Sequence, residues 1–508
     1  MKRPALALIL GAFLLLAACS TGGGGTTSVA GTPKVGGTLK IALESELRTL
    51  DPLKSSQRVE RQVYYNMYDS LVTIDASLKI KPGLATSWQY TDPTTLQFTL
   101  RQGVKFHDGT DFNADAVKFN IDRILSAAIS PRKSELASVK SVEVTAPSTV
   151  VFHLKKPDAA LLAQLVDRAG MILSPAAIQK GGADFALNPI GAGTGPFTFV
   201  EWKRDDHLTL KKNPNYWVPG RPYLDQLIYR PITDSNAALA ALRTGDIDIA
   251  GTNAIADKDI ASVKADSSLV YKDVPGLSFE GFEVNSGSGI FADKAKRQAV
   301  ALALDRAQIL KNVFFDLHTL SRGPIPPTSW AFDPSERIYT TADVSKAKSM
   351  ATGFAFNLKT PNTPGSIQEA TLIKDQLSKA GITATIQVEE FGQILTEASS
   401  HKFDAALVGW SGRIDPDGNM FGWFHTGGGF NDGQYSNPQV DTLLEQARVA
   451  SDQATRKPLY DRAQQILVED VAYVFIGHGP AQEIASAKVH NFSLIADSID
   501  RFAEVWKG

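Results

Sequence analysis

The sequence predicts an α/β protein of two or three domains, and three observations carry that prediction. At 508 residues the chain exceeds what one hydrophobic core usually organises. The region from about 275 to 476 alternates helix-period and strand-period apolar patterns, as βαβ units do. Finally, Ala405, Ala406, Leu407 and Val408 form a short apolar run suited to a strand buried on both faces. That run stops at Gly409-Trp410-Ser411-Gly412, where glycines let the backbone turn sharply, and Arg413 follows. Asp415-Pro416 reads as a helix N-cap with proline at the first helical position. A buried strand that delivers a tryptophan and an arginine onto a turn at its C-terminal end is a common way to build half of a binding pocket.

Composition narrows the class. Hydrophobic residues make up 43% and charged residues 21%, enough for several cores. The 52 Lys+Arg and 54 Asp+Glu are interspersed and leave a formal net charge of −2, so no basic field recruits nucleic acid. Residues 1–18 read as an export signal: Lys2 and Arg3 are followed by an apolar run too short to span a bilayer. Leu16-Ala17-Ala18-Cys19 looks like a lipobox, with Cys19 the lipidated first residue of the mature chain. Cys19 is the single cysteine, so its other reading is a leftover thiol; it has no partner for a disulfide. Residues 19–35, rich in Gly, Ser and Thr, form a flexible tether.

In order, Leu39, Ile41 and Leu43 alternate as a half-buried strand, and 59–71 reads as a helix. Residues 82–88 read as a loop with a packed aromatic, and Leu96, Phe98 and Leu100 alternate again. Asn113 caps a helix over 114–128 with Val117, Ile121 and Ile124 on one stripe. Strands follow at 141–145 and 149–154, then a helix at 159–166. The helix 235–244 precedes a strand at 246–250. A long helix is expected over 294–315, and another over 367–380 ended by Gly381, before a strand at 383–388.

Several stretches together resemble the family-5 solute-binding proteins, the extracytoplasmic receptors of peptide, oligopeptide and nickel ABC importers. They are Pro82-Gly-Leu-Ala-Thr-Ser-Trp88, residues 98–109, Asn188-Pro-Ile-Gly-Ala-Gly-Thr-Gly-Pro-Phe197, Lys212-Asn-Pro-Asn-Tyr-Trp217, residues 297–305 and Pro326-Pro-Thr-Ser-Trp330. They run in family order from about Gly36 to the C-terminus. The resemblance implies a two-lobed periplasmic-binding-protein fold (type II, cluster C) with a subdomain inserted in the N-terminal lobe. On that scheme lobe I is 36–60, 189–275 and 479–508, the inserted subdomain 61–188, and lobe II 276–478. The crossings fall near Pro275-Gly276 and at 477–480. It also implies capture of a peptide or peptide-like solute between hinged lobes, delivery to ABC permease subunits, and a location at the outer face of the membrane. A surface sensor or chaperone-like binder on the same fold is the alternative.

Catalytic and cofactor patterns fail on inspection. Gly409-Trp-Ser411-Gly-Arg413 has an arginine where a nucleophile elbow needs glycine. Asp415-x-Asp417-x-Asn419 has Met420 where an EF-hand loop needs glycine. Gly191-x-Gly193-x-Gly195 runs into Pro196, and the histidines show no zinc-like spacing, so neither cofactor nor metal is expected. Recognition is left. The resemblance implies that dipeptide-binding relatives place an Asp after a Trp-Thr-Gly segment for the ligand ammonium, and an Arg after the strand matching 354–358 for its carboxylate. Here the first position is Arg413, and residues 359–365 contain no Arg. An arginine there repels an ammonium and can hold a carboxylate bidentately, which points to an acidic or opine-like ligand. The other reading has Arg413 in solvent or paired with Asp415. Trp410 and Trp423 are candidates for pocket walls or for core packing. Asn285 reads as a pocket asparagine or a turn residue. Glu46 and Leu47 lie where the family's first-lobe loop meets the cleft, Glu46 either binding a cation or solvated.

Overall fold

The computed structural model describes residues 32–508 apart from 129, 336–338 and 352. The signal segment, Cys19 and most of the tether lie outside the described residues. No helix among those described is long and apolar enough to cross a membrane.

Residues 34–508 form one unit built on three principal sheets. The first has seven strands, and its centre is Thr38–Leu43, parallel to both Gln226–Pro231 and Ile249–Gly251. Ile41 faces one apolar cluster and Ala42 the other, so the strand is covered on both faces. The second sheet has six strands; Ala355–Pro361 lies parallel to Thr383–Glu389 and to Ala405–Ala406. Ala405 and Ala406 likewise pack into separate clusters on opposite faces. The third sheet is antiparallel, with four strands from Ala85–Asp92 to Thr149–Leu154 and its own core around Phe98 and Phe152.

Two chain crossings join the first two sheets, side by side. Leu269–Pro275 pairs along its length with Pro480–Ser486, and beyond residues 276–279 the chain continues as Glu280–Val284, paired with Tyr473–His478. Gly276 and Gly479 face each other so closely that a Cβ on Gly276 would stand 2.4 Å from the Gly479 carbonyl oxygen. Ser278 ties the crossings together: its Oγ accepts from Gly479 N–H at 3.1 Å, and its carbonyl meets His478 Nδ1 at 2.8 Å.

A buried imidazole spans this junction. His318, in the second lobe, pairs through Nε2 with Asp257 of the first lobe at 3.1 Å and through Nδ1 with Glu280 at 2.8 Å. Burial alone would lower its pKa, but the two carboxylates outweigh it and push it up to about 10. A raised folded-state value means the stabilisation is complete below the unfolded pKa near 6.5 and is lost as pH climbs through about 10. Wild-type protein minus His318→Gln is therefore expected to show a stability difference on the order of 3 kcal/mol at pH 6 that fades between pH 7 and 10. Urea midpoints across that range check it; a difference that grows with pH would refute the assignment.

Local departures from the sequence reading have identifiable causes. The helix expected over 294–315 is two helices, Lys294–Ala303 and Arg306–Val313. Leu304 is extended between them, and the Asp305 carboxylate accepts from Gln308 N–H, restarting the helix. The stretch 82–88, expected as a loop, enters the strand Ala85–Asp92, with Trp88 half-buried against the third sheet's core. The helix expected at 159–166 shrinks to Leu161–Gln164. Arg58–Met67, which the scheme above divides after residue 60, packs Val59, Val63 and Met67 into the same cluster as Leu39 and Ile41 of the first sheet's central strand.

Candidate functional site

The turn after Ala405–Ala406 is pinned to the first crossing. Trp410 and Phe279 exchange both backbone hydrogen bonds, at 2.9 and 3.1 Å. Gly412 has φ +80°, and a Cβ there would fall 2.1 Å from the Leu277 carbonyl oxygen. Asp415 caps the helix Pro416–Phe424 by accepting from Asp417 N–H. Arg456 holds the Asp415 carboxylate with two hydrogen bonds, and Arg448 does the same for Asp417 at 2.6 and 2.9 Å. Asp417 is therefore buried in an ion pair. Asn419, on that helix, accepts from both Trp410 Nε1 (3.0 Å) and Arg413 N–H (2.8 Å). The second lobe thus holds the turn from both ends.

Arg413 neither points to solvent nor pairs with Asp415; only 7% of its surface is exposed. Its guanidinium lies 4.2 Å over the Trp410 ring and reaches Asp167 of the N-terminal half at 3.3 Å. Asp167 also receives Arg61 at 2.9 Å and Arg168 at 3.5 Å, while Arg61 donates to Ser411 Oγ at 3.1 Å. The fourth guanidinium near this carboxylate is Arg132, paired with Glu135 at 2.6 Å. Burial raises the Asp167 pKa, yet the surrounding arginines hold it well below the usual carboxylate range. Burial pushes Arg413 down to about 9 and Arg132 to about 10, because two carboxylates do not neutralise four guanidiniums. Glu60 lies behind Arg168, accepting from Ser55 and the Gln57 N–H. Even counting it, the cluster keeps an excess positive charge buried where the lobes meet.

The remaining candidates separate. Trp423 is buried beside Trp410, ring centroids 5.5 Å apart, with its Nε1 lacking an acceptor among the described residues. Asn285 sits at the far end of Glu280–Val284 from the crossing, its amide donating to the His401 and Phe403 carbonyls. At about 3.3 Å per strand residue, that end is well removed from Trp410. Asn285 instead lines a separate surface cavity of about 350 Å³ with Asn357, Gln387 and Lys402. Glu46 turns into its own lobe, accepting from Leu47 N–H, Trp202 Nε1 and Asp205 N–H, so no cation is required to satisfy it. Leu47 is core. Their neighbour Arg48 does reach across, donating to Thr396 Oγ1 at 2.9 Å.

Sequence reasoning missed Arg61, Arg132, Glu135, Asp167 and Arg168. The one available signal was Asp167-Arg168 inside the apolar stretch 160–173, where charges are costly unless paired.

Comparison with known proteins agrees with this geometry. The model for bacterial extracellular solute-binding proteins, family 5, matches residues 79–432. The glutathione-binding protein GsiB of Shigella boydii is 30% identical over 457 residues, 85% of this chain and 87% of that protein. The Helicobacter pylori ABC transporter-associated periplasmic binding protein DppA, solved with the peptide STSA, superposes with a TM-score of 0.87 at 26% identity, over 93% of this chain and 98% of that one. AgaA from A. tumefaciens R10, solved with agropinic acid, gives 0.86 at 26% identity, over 93% and 99%. Two lobes joined at paired crossings and this extent of likeness lead to one conclusion: the chain belongs to the family-5 bacterial extracellular solute-binding proteins, substrate-binding receptors of ABC importers.

Proposed function

We propose that this receptor captures an acidic, peptide-like solute and that Arg413 meets one of its carboxylates. The observation that carries the reading is the buried guanidinium excess around Asp167, with Arg413 at its second-lobe edge. A buried uncompensated cation is costly, and an anionic ligand relieves that cost only when the lobes are shut around it. Trp410, under Arg413, supplies an aromatic wall and a fluorescent reporter. A glutathione-binding relative and a neighbour that holds agropinic acid suit a ligand of this chemistry. The role is binding and hand-over to the permease, with no chemistry done on the solute. Isothermal titration with glutathione and with neutral and cationic tripeptides tests the reading. Tight binding restricted to the acidic peptide is expected; preference for a cationic peptide would overturn it.

We also infer that the chain is held at the outer membrane face through a lipid on Cys19, with the Gly/Ser/Thr stretch as tether. The lipobox-like Leu16-Ala17-Ala18-Cys19 supports this reading. Cys19→Ser is expected to move the protein from the membrane fraction to the soluble one after cell fractionation. Retention of the variant in membranes would remove the lipid anchor from the account.

A further inference from the structure

Arg132 and Glu135 form a buried ion pair in one short helix of the inserted subdomain, Arg132–Glu135. Arg132 is fully buried, yet only its Nη1 is used; Nε and Nη2 have no acceptor among the described residues. Glu135, also buried, spends Oε1 on Arg132 and leaves Oε2 without a donor. Two adjacent buried groups of opposite charge thus each retain an unused bonding position. Leaving such groups unmatched costs far more than leaving neutral ones, so native interiors rarely tolerate it without a purpose.

The pair sits between the charged residues around Asp167 and the second lobe. The Arg132 guanidinium lies 5.2 Å from the centre of the Phe430 ring, and Phe430 packs against Trp410 at 4.8 Å. Gly429 approaches so closely that a Cβ there would stand 2.8 Å from Ser134 Oγ. A continuous path of contacts therefore runs from Arg413 through Trp410 and Phe430 to Arg132. The free valences also have a definite chemical complement. A guanidinium edge takes a carboxylate, and the neighbouring carboxylate oxygen takes an ammonium.

We infer that Arg132 and Glu135 receive an α-amino-acid head group, the carboxylate on Arg132 and the ammonium on Glu135, while Arg413 holds a second carboxylate at the other end of the ligand. The inserted subdomain is then a specificity element. It selects solutes that carry a free amino-acid head at one end and an acid at the other, such as γ-glutamyl peptides or amino-acid conjugates. This rests on the acidic-ligand reading above and adds the head group to it.

The test pairs variants with ligand edits, using titration calorimetry on the full chain in detergent micelles. The probes are glutathione, its N-acetyl derivative and its γ-glutamyl α-carboxamide. For wild-type protein, each edit is expected to weaken binding at least tenfold. Glu135→Gln should weaken glutathione at least tenfold but leave the N-acetyl derivative within about twofold. Arg132→Gln should do the same for glutathione while leaving the carboxamide unaffected, and Arg132→Lys should recover part of the loss. Thermal melts separate misfolding from lost recognition, and the Lys variant keeps the buried charge if the Gln variant does not fold. Equal effects of a variant on edited and unedited ligands would overturn the assignment. If wild-type protein binds none of the probes while neutral peptides bind, the acidic-ligand reading fails first. The head-group assignment then stands or falls on the co-purified ligand identified by mass spectrometry: one without a free α-amino-acid group overturns it.

Discussion

Arg413→Ala is expected to weaken binding of the acidic ligand by about 3 kcal/mol, a hundredfold or more in Kd, with little change in the melting temperature of ligand-free protein. The asymmetry follows from the charge count. Arg413 is one guanidinium too many around Asp167, which keeps Arg61 and Arg168 as partners. Losing it relieves repulsion as much as it removes attraction. Once an anion is bound, the same guanidinium contributes a desolvated, charge-assisted contact, and truncation leaves the ligand carboxylate unpaired. Arg413→Lys should recover only part of the affinity, since an ammonium cannot both cover the Trp410 ring and present a planar fork. Titration calorimetry decides it, and an Arg413→Ala protein with wild-type affinity would take Arg413 out of the site.

The second large effect is on folding. Gly412→Ala is expected to destabilise the protein by about 3 kcal/mol or more, since the new Cβ would meet the Leu277 carbonyl oxygen at 2.1 Å and its carbon at 2.3 Å. The obstacle is backbone in the link between Leu269–Pro275 and Glu280–Val284, so relief requires moving the crossing itself. Gly427 is the internal control: it has φ +74°, yet nothing lies within 4 Å of where its Cβ would be. Gly427→Ala should cost about 1 kcal/mol, the price of the left-handed backbone alone. Chemical denaturation of both variants checks the contrast. Equal losses would mean that the turn is not clamped against Leu277.

The elements and the candidate site were legible to different degrees. The strand at 149–154 and the helix at 235–244 were read with the bounds the structure has, and Asn113 caps its helix as expected. Apolar period and capping chemistry are local, so they survive without knowledge of neighbours. Asp305 was misjudged because a capping residue inside a continuous apolar period looks like helix interior. Asn285 was misplaced for a different reason. Only the fold brings residues 401 and 403, 116 and 118 positions later, against the end of its strand, where their carbonyls take up the Asn285 amide.

By itself the sequence determined that a buried strand ends in a glycine turn carrying Trp410 and Arg413, and that Asp415 starts the next helix. Those features depend on hydrophobic period, backbone freedom and capping, each expressed within a few residues. Only the tertiary structure decided what Arg413 faces. Asp167 lies almost 250 positions away in the chain, and Arg61, Arg132 and Arg168 come from segments with no sequence relation to the turn. Electrostatic interaction acts through space and strengthens with burial, so the charge balance of this site became defined only when the two lobes met.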